Sequence, residues 1–99
     1  MNTEWEIKNP MHIVHRAGYS VELQGRNDLI YAENGNTFRV QVEDGGDARG
    51  YFLTVYASTL VSIQVRDGVL RTESSTEKSR ILGNVRCALT RLGIRFEII

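Results

Sequence analysis

The chain has 99 residues, of which 41% are hydrophobic and 24% are charged. This length and composition are typical of one folded domain, here residues 1–99, and not of a disordered segment. Twelve basic and twelve acidic side chains cancel, which excludes the strong net field that attracts nucleic acid or an anionic membrane.

The cysteine count and the first residues indicate a cellular location. Cys87 is the only cysteine and cannot form an internal disulfide. The N-terminus is polar and acidic and lacks the basic start and apolar stretch of a signal peptide. No apolar run approaches the roughly 18 residues of a membrane span. These features predict a cytoplasmic protein that does not bind a membrane.

The first half of the chain has the two-residue alternation of strands that bury one face. Residues 11–15 form a short extended run, and residues 19–23 and 38–43 alternate apolar with polar side chains. Residues 29–33 are followed by Asn34-Gly35, a pair that favours the tight turn of a hairpin. This pattern predicts successive antiparallel hairpins.

A glycine-containing acidic segment follows these hairpins. Residues 43–50 include two adjacent glycines, and we predict a mobile loop there. Residues 51–56 are denser in apolar side chains and predict a central strand. Residues 60–65 predict a further strand with Val61, Ile63 and Val65 on one face, and residues 69–71 a short returning strand.

The last third of the chain has the period of an amphipathic helix. Ser74 and Glu77 have the spacing of a capping box, and Gly93 predicts the end of the helix. The apolar side chains lie within about 120° of one another around the axis: Ile81, Leu82, Val85, Ala88, Leu89 and Leu92. Residues 94–98 predict a closing strand.

The order of these elements predicts an α+β fold. We expect an antiparallel β-sheet of about six or seven strands, one long C-terminal α-helix packed on one face, and a final C-terminal strand. The two periodicities predict the core side chains: Val21, Leu23, Phe38, Val40, Leu53, Val55, Ile81, Val85, Ala88, Leu89 and Leu92.

No group of side chains has the spacing of a catalytic or metal site. His12 and His15 are the only histidines. They lie on opposite faces of a predicted strand, so they cannot share a metal ion. Cys87 lies in mid-helix, far from the helix N-terminus that activates catalytic thiols. The sequence therefore predicts a protein that is not an enzyme and that uses no metal and no cofactor.

The polar side of the predicted helix carries small residues between arginines. We define the helix ridge as Arg80, Asn84, Cys87 and Arg91. Gly83 lies beside it, and a glycine inside a helix costs about 1 kcal/mol relative to alanine, which suggests a close approach by another backbone. Two interpretations stay open: a docking surface for a partner or second subunit, and a face that is exposed or covered by the segment around Trp5.

The second half of the chain also carries a pattern of residues that occurs in a known family. Tyr56-Ala57-Ser58-Thr59-Leu60 comes first, and Gly93 and Glu97 come last. The helix residues at matching spacings are Arg80, Ile81, Asn84, Val85, Ala88 and Leu89. Over roughly residues 51–99 the chain resembles the immunity protein 74 family, which comprises small cytoplasmic antitoxins of bacterial polymorphic toxin systems, including contact-dependent growth inhibition.

The resemblance implies an immunity protein that neutralises a cognate toxin domain by tight protein–protein binding. Two other functions stay open. One is a small structural or accessory subunit that forms a homodimer through its helix face or a sheet edge. The other is a small nucleic-acid-binding regulator, which has less support because the basic residues scatter around the helix and lack a stacking-aromatic motif.

Two surfaces are candidates for toxin binding. Residues 1–50 carry eight acids and five bases, a net charge of −3, and residues 51–99 carry four acids and seven bases, a net charge of +3. The predicted acidic loop contains Glu43, Asp44 and Asp47. Such a loop suits the basic cleft of a toxin that acts on nucleic acid. We therefore predict that this loop faces the toxin and that the helix ridge is an alternative contact or self-association surface.

Overall fold

A computed structural model of the chain describes residues 4–62 and 75–99. In those two stretches, seven strands form one sheet whose spatial order is their order along the chain. The elements are β1 (Trp5–Asn9), β2 (His12–His15), β3 (Tyr19–Gln24), β4 (Asp28–Glu33), β5 (Asn36–Asp47), β6 (Gly50–Ser62), α1 (Ser75–Leu92) and β7 (Arg95–Ile98).

The direction of the strands changes once, at the last strand. Neighbours from β1 to β6 are antiparallel, whereas β7 runs parallel to β6. A parallel pair needs a crossover between its strands, and α1 lies in that connection. The α+β class is confirmed, but the prediction of a wholly antiparallel sheet is wrong for β7.

Two turns confirm the hairpin predictions. Asn34 and Gly35 have φ values of 49° and 80°, the left-handed conformations that a two-residue hairpin requires. Glu33 and Asn36 pair on either side of them. The amide of Gly18 donates to the carbonyl of His15 at 3.0 Å and closes the turn between β2 and β3.

The helix end also follows the prediction. Gly93 has a φ of 77°. Its amide donates to the carbonyl of Thr90, and the amide of Ile94 donates to the carbonyl of Leu89, both at 3.1 Å. These two bonds form a Schellman motif, which satisfies the last free carbonyls of the helix.

A short connection between α1 and β7 makes the sheet curl. The helix crosses the strands, from Arg80, which bonds Glu33 in β4, to Arg91, which lines a cleft with Trp5 in β1. The helix ends at Leu92, and after two more residues β7 begins at Arg95 and pairs with β6. In a flat sheet β1 and β6 would lie about 24 Å apart, whereas the connection spans about 10 Å. The sheet therefore curls and brings β6 and β7 toward the helix.

The prediction of a helix packed on one face of the sheet is wrong for this reason. The sheet is curled and mixed, and α1 is not packed on a face of it. The backbone of α1 approaches β2, β3 and β7, which come from both halves of the strand order. Its side chains Ile81, Val85, Ala88 and Leu89 are fully buried in the same cluster as the strand residues.

The predicted core is confirmed, except that Leu92 is only partly buried against it. The structure adds side chains that the prediction omitted: Ile13, Tyr19, Leu29, Tyr31, Val42 and Leu60. It also adds β1, which the sequence analysis did not predict.

One strand, β6, replaces the two that were predicted over residues 51–65, and it contains a large bulge. Arg39 and Gln41 are two residues apart, but their partners Val61 and Tyr56 are five apart. Residues 57–60 therefore lie opposite Val40 alone. Three of the four are extra, and this odd number shifts the alternation of the strand.

The shifted alternation decides which side chains of this strand face the core. Leu60 and Ser62 are buried, whereas Val61 is 37% exposed. The predicted continuation over residues 63–65, the strand over residues 69–71 and the capping residue Ser74 lie outside the described residues.

The position of Leu89 in the core gives a first testable prediction. We expect Leu89→Ala to lower the free energy of unfolding by about 2–5 kcal/mol, because it leaves a cavity among fully buried side chains. Denaturant unfolding measures this. Val61→Ala is the matched control and should change stability by less than about 1 kcal/mol. Equal losses in the two variants would contradict the assignment of the core.

Gly83 gives a second prediction. A Cβ atom added at Gly83 would meet no atom within 4 Å, so the close backbone approach expected from the sequence is not found in the described residues. Gly83→Ala should therefore raise the free energy of unfolding by about 1 kcal/mol. Gly93→Ala is the control and should lower it, since Gly93 has a left-handed φ. A loss of stability in Gly83→Ala would show that another segment packs there.

Candidate functional site

The predicted acidic loop is a strand in the structure. Glu43–Asp47 continues β5, and Asp47 pairs with Gly50 across a tight turn. We define residues 43–54 as the hairpin arm. Gly45 pairs with Phe52, and this aromatic cross-strand neighbour supports the glycine in an extended conformation. The prediction of a mobile loop is therefore wrong.

The strand geometry separates the acidic residues. Adjacent residues of a strand lie on opposite faces, so Glu43 and Asp44 cannot share one patch. Glu43 lies on the same face as Tyr56, whose hydroxyl donates to its carboxylate at 3.0 Å. Asp44 lies on the other face, near Tyr51, and the pKa of Tyr51 is raised by burial and by that carboxylate. The arm thus presents a carboxylate on each face.

One backbone edge of the hairpin arm has no strand beside it in the described residues. The register of β4 against β5 ends at the pair of Asp28 and Gln41. The last bond on that side is from the amide of Val42 to the carbonyl of Asn27, at 2.8 Å. Because amide directions alternate along a strand, Asp44 and Gly46 also direct their N–H and C=O groups to this side. We call these four groups the free edge of the arm.

The opposite side of the arm is fixed by β7. The guanidinium of Arg95 donates to the carbonyl of Gly50 at 3.0 Å and lies 5.7 Å from the ring centroid of Phe52. β7 pairs with β6 from Phe52 to Val55. The arm is therefore three strands wide at its base, and a new strand can add to it at the free edge without displacing β7.

The bulge in β6 fixes the base of the arm. Thr59 Oγ1 accepts a hydrogen bond from the amide of Gln41 and donates one to the carbonyl of Tyr56, both at 2.7 Å. A side chain thus replaces the ladder bonds that the bulge interrupts. Thr59 belongs to the residues that carry the family resemblance, and its contacts here are structural.

Half of the helix ridge contacts the sheet through a chain of hydrogen bonds. Asn84 Nδ2 donates to the hydroxyl of Tyr31 at 2.8 Å, and that hydroxyl donates to Glu33. Arg80 donates to Glu33 at 2.6 Å and to Glu77 at 2.5 Å. Arg80 and Asn84 therefore bind α1 to β4 within the chain.

The charged groups in this chain of hydrogen bonds, Arg80 and Glu33, stabilise each other. The bond from Arg80 lowers the pKa of Glu33, whose side chain is only 17% exposed. The same carboxylate and Glu77 raise the pKa of Arg80. Burial, followed by the bond to Glu33, raises the pKa of Tyr31. The phenol stays protonated and the carboxylate stays ionised at neutral pH, so each keeps its hydrogen-bonding role.

The other half of the helix ridge lines a cleft of about 640 Å³. Cys87 and Arg91 face Trp5, His15 and Tyr19 across it. The rings of His15 and Tyr19 stack with centroids 4.8 Å apart, and Trp5 meets His15 edge-on at 4.4 Å. Cys87 and Arg91 are both exposed, so the N-terminal segment around Trp5 lies across the cleft from this half of the ridge and does not cover it.

The two histidines lie on opposite faces of β2, as predicted. His15 belongs to the aromatic wall of the cleft, whereas the Nδ1 atom of His12 lies 3.5 Å from the carboxylate of Glu22. Within residues 4–62 and 75–99 no three His, Cys, Asp or Glu side chains are placed to hold a metal ion. No helix in this part of the chain is long and apolar enough to cross a membrane.

Two features that make these surfaces, the free edge and β1, were not predicted from the sequence. The free edge depends on where β4 ends relative to β5, which is a matter of register. The first strand could have been found, because Trp5 and Ile7 alternate with Glu6 and Lys8, which is the two-residue period of a strand.

The lowered pKa of Glu33 gives a third prediction. The charged carboxylate stabilises the fold above its unfolded pKa near 4.5, and this contribution is lost as the pH falls through the lower folded pKa. Glu33→Gln should lower the free energy of unfolding by about 1–3 kcal/mol at pH 7. The difference from the wild type should shrink as the pH falls below 4.5.

Denaturant unfolding over a series of pH values measures this difference. Glu22→Gln is the control, because the Glu22 side chain is 37% exposed and its replacement should cost less than about 1 kcal/mol at pH 7. A Glu33→Gln deficit that stays constant down to pH 2 would contradict the ionic role of Glu33.

Comparisons of the chain with protein-family models, curated proteins and solved structures gave no match. The resemblance to the immunity protein 74 family therefore stays a prediction that rests on the residues named above.

Proposed function

We propose that this chain is an immunity protein that neutralises a cognate bacterial toxin domain by binding it, and that the free edge of the hairpin arm is the binding surface. The observation that carries the proposal is this edge, where Asp44 and Gly46 present backbone donors and acceptors beside acidic side chains. The family resemblance supplies the class of partner.

The free edge suits binding by strand addition. An extended segment of a partner adds to an open sheet edge through main-chain hydrogen bonds, and alternate side chains give specificity. Carboxylates on both faces of the arm favour a segment that carries basic residues. Opposite charge accelerates such an association and disfavours acidic competitors.

The helix ridge offers less for this task. Arg80 and Asn84 already bond to β4, so a partner that used them would compete with the fold. Cys87 and Arg91 line a cleft opposite aromatic side chains. The ridge also carries the positive side chains Arg80 and Arg91. A toxin that acts on nucleic acid has a basic cleft, and like charges oppose association.

Binding by strand addition at the free edge gives a fourth prediction, which compares two variants of Gly46. Gly46→Pro removes the N–H that points away from β6, on the free edge. It leaves the hydrogen bonds between β5 and β6 in place. Gly46→Ala keeps that N–H and adds the same Cβ, which lies 3.1 Å from the carbonyl oxygen of Gly50 in either variant. The partner is the toxin domain encoded beside this chain's gene, and calorimetry measures binding.

Gly46→Pro should weaken binding at least tenfold relative to Gly46→Ala. Asp44→Lys and Asp44→Lys/Asp47→Lys should slow association and flatten its salt dependence, while Glu22→Lys, the same charge change on β3, should not. Equal affinity of the two Gly46 variants would exclude the edge as the binding surface. A wild-type chain that fails to bind the toxin domain would overturn the proposed function itself.

A further inference from the structure

The outermost strand, β1, has an unusual surface. Ile7 is 54% exposed, although Ile13 and Val21, its neighbours in the same row across β2 and β3, are fully buried. In the described part of the chain no strand pairs with the outer side of β1. A row of core side chains thus continues to the edge of the sheet and ends there in an exposed isoleucine.

The backbone of β1 presents hydrogen-bonding groups at this edge. The amide of Arg16 donates to the carbonyl of Glu4 at 2.7 Å, so Glu4 directs its backbone groups toward β2. Directions alternate along a strand, so Glu6 also bonds inward, while Trp5 and Ile7 direct their N–H and C=O groups outward. Within residues 4–62 and 75–99, the N–H and C=O groups of the exposed isoleucine therefore point to a side that no strand occupies.

The charges next to Ile7 match a second copy of the same strand. Glu6 and Lys8 lie on one face, 2.9 Å apart, with side chains 66% and 47% exposed. If two copies of β1 pair antiparallel about a two-fold axis at Ile7, Glu6 of each lies opposite Lys8 of the other. An axis at Glu6 or at Lys8 would instead oppose two like charges. Opposite charges across a strand pair stabilise it and like charges destabilise it, so the charges select Ile7 as the centre.

We propose that this chain self-associates through β1, in an antiparallel pair centred on Ile7, which joins two sheets into one continuous sheet. A two-fold interface requires a surface that complements itself. The segment Glu6-Ile7-Lys8 complements a second copy of itself through backbone hydrogen bonds, contact between the two isoleucines and opposite charges. The register shifts between Ile7 and Asn9, which limits the length of the paired segment. The interface is therefore small, and the dimer is weak and depends on concentration. This proposal is independent of toxin binding.

Sedimentation equilibrium from about 10 µM to about 1 mM tests the proposal. The wild type should form dimers over this range. Glu6→Lys alone and Lys8→Glu alone should each weaken the dimer at least tenfold, because like charges then face each other. The double variant Glu6→Lys/Lys8→Glu should dimerise as the wild type does, since the opposition of charges is restored.

Mixing the two single variants provides the sharpest test. A Glu6→Lys chain carries two lysines around Ile7, and a Lys8→Glu chain carries two glutamates, so the mixture should form a heterodimer that neither variant forms alone. Far-ultraviolet circular dichroism checks that each variant is folded. A wild type that stays monomeric to about 1 mM, single variants that dimerise normally, or a mixture without heterodimer would each overturn the proposal.

Discussion

The short connection between α1 and β7 is the constraint on which this fold depends. Gly93 ends the helix on the side of the cleft that Trp5 in β1 also lines, and after Ile94 the chain already pairs with β6. Both conditions hold only because the sheet curls around the helix, and the curl encloses Ile81, Val85, Ala88 and Leu89 in one core with the strands. Among the described residues, β1 and β7 are the two outermost strands of this sheet. The hairpin arm extends past the end of β4 and adds a third open edge.

The parts of the fold that the sequence predicts are those set by local patterns. The two-residue and 3.6-residue periods predicted most of the core, and Asn34-Gly35 and Gly93 predicted a turn and a helix end. The parts it did not predict depend on pairing between distant residues. The segment Glu43–Asp47 reads as a loop because of its glycines, but Tyr51 and Phe52 pair with those glycines and keep them in the sheet. The direction of β7 depends on where the end of the helix lies relative to β6, which no local pattern specifies.

The candidate site, too, has parts that local sequence patterns predict and parts that depend on strand pairing. The acidic residues were found from composition, whereas their separation onto two faces and the open edge between them depend on register. The residues that carry the family resemblance have structural contacts: Thr59 bridges the bulge, Asn84 and Arg80 bond to β4, and Gly93 ends the helix. A resemblance carried by such residues is evidence about architecture first. The surfaces proposed for binding, the hairpin arm and β1, contain none of these residues.

The bulge in β6 also affects how this chain tolerates insertions and deletions. The segment Ala57–Leu60 decides which side chains of the strand beyond it face the core, at present Leu60 and Ser62 and not Val61. A change of one residue in its length would reverse that choice and bring Val61 inward, while the arm kept its own pairing with β5. A change of two residues would preserve the choice. In homologous chains, length variation at this point should therefore occur in steps of two.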